Sequence, residues 1–158
     1  MVAAAHPQAS QVGVEILAAG GNAVDAAVAV GFALGVLEPN ASGIGGGGFM
    51  LIWLAEEQQA VFIDFRERAP AGATAEMFEL DEEGNVLPDE RGFKPPVVGG
   101  KSVAVPGEVA GLLLALDEYG SMSRDKVLQP AIDQHRGQIK KAAAQGIAQG
   151  LAALPEGR

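Results

Sequence analysis

Between Ala23 and Leu37 the chain carries one charged side chain, Asp25, and is otherwise made of alanine, valine, leucine, glycine and phenylalanine. Asn22 is a good N-cap ahead of this segment, and Pro39 disfavours helix at Glu38 behind it, so it reads as a single helix with defined ends. A helix that is apolar nearly all round has no face to give to water and must be enclosed by other elements. It is too short to span a bilayer. Its many small side chains let a sheet or a second helix approach closely, which assigns it to an inner layer. Composition agrees: 158 residues with 48% hydrophobic and 20% charged side chains suit one packed domain rather than a disordered chain.

The layers around that helix are legible on both sides of it. From Ala9 to Ala19, Val12, Ile16 and Ala19 recur at helical spacing, and Gly20-Gly21 supply a left-handed C-terminal cap. Downstream, the runs Phe49 to Ala55 and Ala60 to Phe65 flank the polar Glu56-Glu57-Gln58-Gln59 and predict an antiparallel hairpin, against which the two helices are expected to pack. Glu79 to Gly100, rich in acidic residues, glycine and proline, reads as a surface loop with turns at Glu83-Gly84-Asn85 and around Pro95-Pro96. A short strand at Ser102 to Val105 should lead through Pro106-Gly107 into an amphipathic helix from Glu108 to Tyr119, closed by Gly120, and Ser123 can cap one more. Residues 1–133 form one domain in this reading. Residues 134–158 form an Ala-, Gln- and Gly-rich helical tail, weakened by Gly137, Gly146 and Gly150.

Charge and residue usage exclude several function classes. A formal charge of -9 repels phosphate backbones and anionic membrane surfaces, so neither nucleic acid nor a membrane is an expected partner. The absence of cysteine removes disulfides and thiolate metal sites, and the isolated His6 and His135 cannot build a histidine-rich one. No cofactor or metal is predicted.

The least ordinary segment is Ser42-Gly43-Ile44-Gly45-Gly46-Gly47-Gly48, since so many glycines destabilise any regular element. Gly43, Gly45 and Gly48 formally fit a dinucleotide fingerprint, but that motif follows a strand and opens a helix, whereas this one follows a helix and opens a strand. Two readings stay open: an anion-binding concavity of bare amides, or a tight crossing of two backbones. Val98-Gly99-Gly100-Lys101-Ser102 fails as a phosphate loop because Pro95 stands where a glycine is required. In Asp64-Phe65-Arg66-Glu67-Arg68-Ala69-Pro70, charges crowd the end of an apolar strand; Arg66 could grip a carboxylate in bidentate geometry, or the group could be a solvated strand end with surface ion pairs. His6 and His135 read as helix-flanking or surface residues, and Asp25 as a buried carboxylate satisfied by a neighbouring loop. The single threonine, Thr74, lies mid-chain, so it is no N-terminal nucleophile; no catalytic residue is assigned.

Four ordered segments carry a resemblance. Met1-Val2-Ala3-Ala4-Ala5-His6-Pro7 with Ala18 to Ala29, then Ser42 to Leu51, Asp64 to Pro70, and Val103 to Leu112, resemble the successive opening motifs of gamma-glutamyltransferases, covering Met1 to Asp133. The resemblance implies an α/β layered fragment of the N-terminal-nucleophile hydrolase (αββα) fold, from the N-terminal part of the large subunit. It implies gamma-glutamyl transfer or hydrolysis on glutathione-like substrates, with Arg66 binding the substrate's α-carboxylate. The nucleophile is then a threonine exposed at the start of a small subunit cut from the same precursor, so this chain by itself should be inactive.

Met1 falls inside a family motif, as expected of a chain lacking the upstream strand and any export signal, and the residues after Asp133 depart from the family pattern. The family is often periplasmic or secreted, but no signal peptide is read here. The rivals are a related N-terminal-nucleophile acylase or amidase fragment, and a non-catalytic binding or assembly module or pseudogene product. Two structural expectations follow. Arg66 should sit at a strand end beside Gly43 to Gly48, and the helix Ala23 to Leu37 and the hairpin should each leave apolar surface uncovered.

Overall fold

The computed structural model describes residues 1–88, 92 and 100–152. Helix α1 (Pro7–Ala18) starts where Pro7 is pre-set for a first helical position and the His6 Nδ1 accepts from the Gln8 N–H. It stops at Gly20, whose φ of +92° lets the Gly20 and Gly21 amides turn back onto the carbonyls of Leu17 and Ile16. Helix α2 (Ala23–Leu37) opens on a capping box: the Asn22 side chain accepts from Val24 and Asp25, and the Asp25 carboxylate accepts from the Asn22 N–H. Helix α3 (Glu108–Tyr119) and helix α4 (Arg124–Ala152) complete the helical part, α4 following Ser123, whose carbonyl accepts from Val127.

The inner position of α2 holds. Val28, Ala29 and Ala33 are fully buried, and α2 is packed by α1, α3 and α4. The approach is close because glycines face the neighbours: a Cβ on Gly13 of α1 would meet Val2 and Val30, and one on Gly31 of α2 would lie 3.0 Å from Leu112 of α3. The expectation that α2 leaves an apolar face open is therefore corrected, since three helices cover it and none of its large apolar side chains is exposed.

Strands β1 (Phe49–Leu54) and β2 (Gln59–Asp64) pair antiparallel, with Leu51 opposite Phe62 and Ile52 opposite Val61. Alternation sends Ile52 and Ile63 into the common core and turns Phe49, Leu51, Trp53 and Phe62 outward. The hairpin does not lie across α1 and α2 as its sequence suggested. It meets the helices mainly through α3, where Phe65 packs onto Gly111, because α2 is already enclosed by helices.

The expected strand at Ser102 to Val105 is replaced by a short 3-10 turn, Gly100–Ser102, and a single bridge in which Val105 and Arg68 exchange backbone hydrogen bonds of 2.8 and 3.2 Å. Pro106 and Pro70 lack the N–H groups a longer ladder would need. The turn at Gly84 forms, with φ +85°, around the Asp81 carboxylate, which accepts from Glu83 and Asn85; Pro95-Pro96 lies outside the described residues.

Asp25 links the first half of the chain to the second. Fully buried, its Oδ2 accepts from the Asn22 N–H (2.7 Å) and the Ser121 hydroxyl (2.6 Å), and its Oδ1 from the N–H groups of Ser121 (2.9 Å) and Met122 (3.1 Å). Asn22 adds a bond from its amide to the Tyr119 carbonyl. The start of α2 is thereby fastened to the α3–α4 turn.

Candidate functional site

The loop between α2 and β1 is where three parts of the chain cross. Gly35 of α2 lets Gly43 approach so closely that an added Cβ would lie 3.2 Å from its Cα. The Gly46 carbonyl accepts from the N–H groups of both Gly107 and Glu108, each at 2.9 Å, which ties the loop to the first turn of α3. Gly48 pairs with Phe65, prolonging the hairpin by one step. A Cβ on Gly47 would run into the Phe65 carbonyl oxygen and come within 2.9 Å of the Glu67 nitrogen, so at this position bare backbone is required by the crossing itself.

Arg66 lies two residues beyond the end of β2, its backbone against Gly47. Its N–H donates to Asp64 (3.0 Å), and its guanidinium Nε is 3.4 Å from Glu67 Oε2 with 68% of the side chain exposed. The side chain borders a groove of about 250 Å³ formed with Asp64, Arg68, Val105, Ala110 and Leu114. This groove runs on the α3 side of the strand end.

A second cavity, of about 380 Å³, lies over the glycine loop and is walled by Asn40, Ser42, Glu67 and Glu108. Arg66 does not line it; Glu67 stands between, touching both the Arg66 guanidinium and the loop at Gly46. Partial burial, and then the charge of Glu67, push the Glu108 carboxyl above its ordinary value. Two carboxylates on its wall disfavour an anion in this cavity, and the crossing accounts for bare backbone at Gly47, whereas a Cβ on Gly43 or Gly45 would meet nothing within 4 Å.

Sequence reasoning singled out Arg66 and passed over Glu67 and Glu108. Glu67 could have been found from its place beside Arg66. The signal for Glu108 was weaker: a carboxylate in the first turn of a helix, right after Pro106-Gly107, is most simply a helix-dipole partner. His6 is occupied as the cap of α1, His135 is exposed on α4, and Thr74 is exposed in a turn whose carbonyl accepts from Met77. None of these three approaches Arg66 as a catalytic group.

A family model described as gamma-glutamyltranspeptidase matches residues 9–155. The chain belongs to the gamma-glutamyltranspeptidase family. It is 52% identical over 132 residues to the glutathione hydrolase proenzyme of Bacillus subtilis (strain 168), a match covering 84% of this chain and 22% of that protein. It is also 50% identical over 133 residues to the acylase ACY 1 proenzyme of Pseudomonas sp. (strain SE83), covering 84% of this chain and 24% of the relative. Among solved structures, the gamma-glutamyltranspeptidase of Helicobacter pylori superposes with a TM-score of 0.75 at 42% identity, covering 90% of this chain and 42% of that one. The mixed arrangement of helices and a two-stranded hairpin is thus that of a gamma-glutamyltranspeptidase segment. The chain spans about a quarter or less of the length of these curated relatives.

Proposed function

We propose that this chain supplies the carboxylate anchor of a gamma-glutamyl transferase or glutathione hydrolase, with Arg66 gripping the α-carboxylate of a glutathione-like donor. The observation that carries the reading is the position of Arg66: an exposed guanidinium beyond β2, on a backbone wedged against Gly47 and beside a groove open to solvent. A guanidinium offers a planar fork to a carboxylate, and Glu67 at its Nε limits how the fork can turn.

In the complete enzyme the hairpin belongs to one sheet of an αββα sandwich. The nucleophile is a threonine at the N-terminus of a small subunit from the same precursor, its own amine acting as base. The chain binds and orients, and the small subunit attacks. Likeness to an acylase proenzyme supports a second reading in which the same scaffold serves a different acyl group.

Release of aniline from a gamma-glutamyl anilide tests this. The purified chain should give no turnover, and a Thr74→Ala control should match it. In an enzyme completed with the remainder of the precursor the anilide should be turned over, and there Arg66→Lys should raise KM, lowering kcat/KM by about tenfold or more, because charge is kept and the bidentate fork is lost. An unchanged kcat/KM for Arg66→Lys would remove Arg66 from substrate binding. Preference for an anilide lacking the α-amino and α-carboxylate groups would favour the acylase reading.

A further inference from the structure

We propose that Arg68 is a specificity-determining residue of the groove that Arg66 borders, a second guanidinium that holds a carboxylate on the leaving group of the donor; the proposal rests on the reading of Arg66 as the α-carboxylate anchor. Phe65 exchanges backbone hydrogen bonds with Gly48, and Arg68 with Val105, so the chain between them carries on the line of β2. Successive side chains on such a line point to opposite sides. The two cavities at the strand end record that alternation: Glu67 lines the one over the glycine loop, whereas Arg66 and Arg68 line the groove beside α3. Two residues apart on an extended chain, their Cα atoms are separated by roughly 7 Å.

The groove thus offers two planar forks beside an apolar wall of Val105, Ala110 and Leu114, against which the methylenes of a gamma-glutamyl chain can lie. The backbone under the second fork is held, since the Arg68 N–H donates to the Val105 carbonyl (3.2 Å) and its carbonyl accepts from the Val105 N–H (2.8 Å). A donor whose leaving amine carries a carboxylate presents two anions, one on either side of the scissile amide and too far apart for one guanidinium to bridge. With its α-carboxylate on Arg66, the second anion falls to Arg68 and the amide lies between the forks, on the open side of the groove. Asp64, the acid in the groove's lining, stands at the other end of the row, where its Oδ1 accepts from the Arg66 N–H. Four residues of extended chain put it roughly 13 Å from Arg68, beyond the Debye length of about 8 Å at physiological ionic strength, so its charge weighs little there.

Two substrates test this in an enzyme completed with the remainder of the precursor: a gamma-glutamyl anilide, and the same anilide with a carboxylate on its ring. The readout is the ratio of kcat/KM for the carboxylated substrate to that for the plain one, in which any loss of folded protein cancels. Arg68→Gln should lower this ratio about fivefold, chiefly through KM, the size expected of one exposed guanidinium–carboxylate pair. Arg68→Lys, which keeps the charge and loses the fork, should lower it less. Lys126→Gln, which removes a positive charge from an exposed site on α4, should keep the parent's ratio. Arg66→Lys should weaken both substrates alike and leave the ratio in place. A ratio unmoved by Arg68→Gln would overturn the proposal, as it would if a carboxylate from the remainder of the precursor occupied the Arg68 fork. A fall just as large in Lys126→Gln would overturn it too, by reducing the preference to net charge. Neither result bears on Arg66, whose reading fails separately if Arg66→Lys leaves both specificity constants unchanged.

Discussion

Replacing Asp25 by asparagine keeps size and shape while removing the charge and two of the lone pairs on which four donors converge. An amide must turn its NH₂ toward one side of the site. Facing the Oδ1 side it would confront the Ser121 and Met122 N–H groups together. Facing the Oδ2 side it confronts only the Asn22 N–H, because the Ser121 hydroxyl can rotate and accept. The second orientation therefore wins. It leaves one buried donor without a partner, at a cost of about 1–3 kcal/mol, and it demotes the remaining bonds from charge-assisted to neutral, so about 2–4 kcal/mol in all is expected. For a chain of this length each kcal/mol moves Tm by roughly 2–4 °C, which places Asp25→Asn about 5–15 °C below the parent at neutral pH.

Acid provides the cross-check. Burial alone would raise the Asp25 carboxyl, but bonds from the Ser121 hydroxyl and the N–H groups of Asn22, Met122 and Ser121 outweigh it and hold the group below its ordinary value. A carboxyl so lowered contributes stability that is complete above its unfolded pKa and is lost as pH falls through the folded one. The Tm gap between parent and variant should therefore narrow as pH drops below 3.8, the ordinary value of an aspartate. Thermal unfolding followed by circular dichroism over a pH series measures both. A gap under about 2 °C at neutral pH, or one that widens in acid, would refute the reasoning.

Two further outcomes are expected. Gly47→Ala should destabilise by about 1–3 kcal/mol and loosen the end of β2, because its Cβ meets the Phe65 carbonyl and the Glu67 nitrogen, both backbone; faster amide exchange at Gly48 and Phe65 than at Ile52 would report it. Glu108→Gln should raise Tm at neutral pH and lose that advantage in acid, since a carboxyl whose folded pKa is raised contributes least when ionised; a variant less stable than the parent at pH 7 would refute this.

Most of the fold was legible because the signals were local and chemically distinct. The Gly20 cap, the Asn22 N-cap, the Pro39 stop and the two apolar runs around Glu56 to Gln59 each act within a few residues, and each forms where the sequence places it. The partners of the layers were not so legible. Apolarity all round says that α2 is enclosed but not by what, and three helices rather than the sheet enclose it. At Ser102 to Val105, β-type residues misled because a strand also needs a partner with donors, and prolines at 70 and 106 deny it one.

The site divides along the same line. Arg66 could be named from its motif, yet its position depends on a contact no local pattern encodes, the passage of Gly47 beneath the Phe65–Glu67 backbone. That contact constrains the path of the chain through Arg66, so Gly47 and Arg66 are structurally coupled although nineteen positions apart. A change at Gly47 that shifts the strand end should misplace the guanidinium without altering its charge, and a misplacement of about 1 Å in a bidentate contact is enough to lose most of its geometric advantage. In the complete enzyme Gly47→Ala should therefore resemble Arg66→Lys in substrate affinity while differing from it in stability, whereas a strand-end arginine that merely served solubility would leave the two variants unrelated.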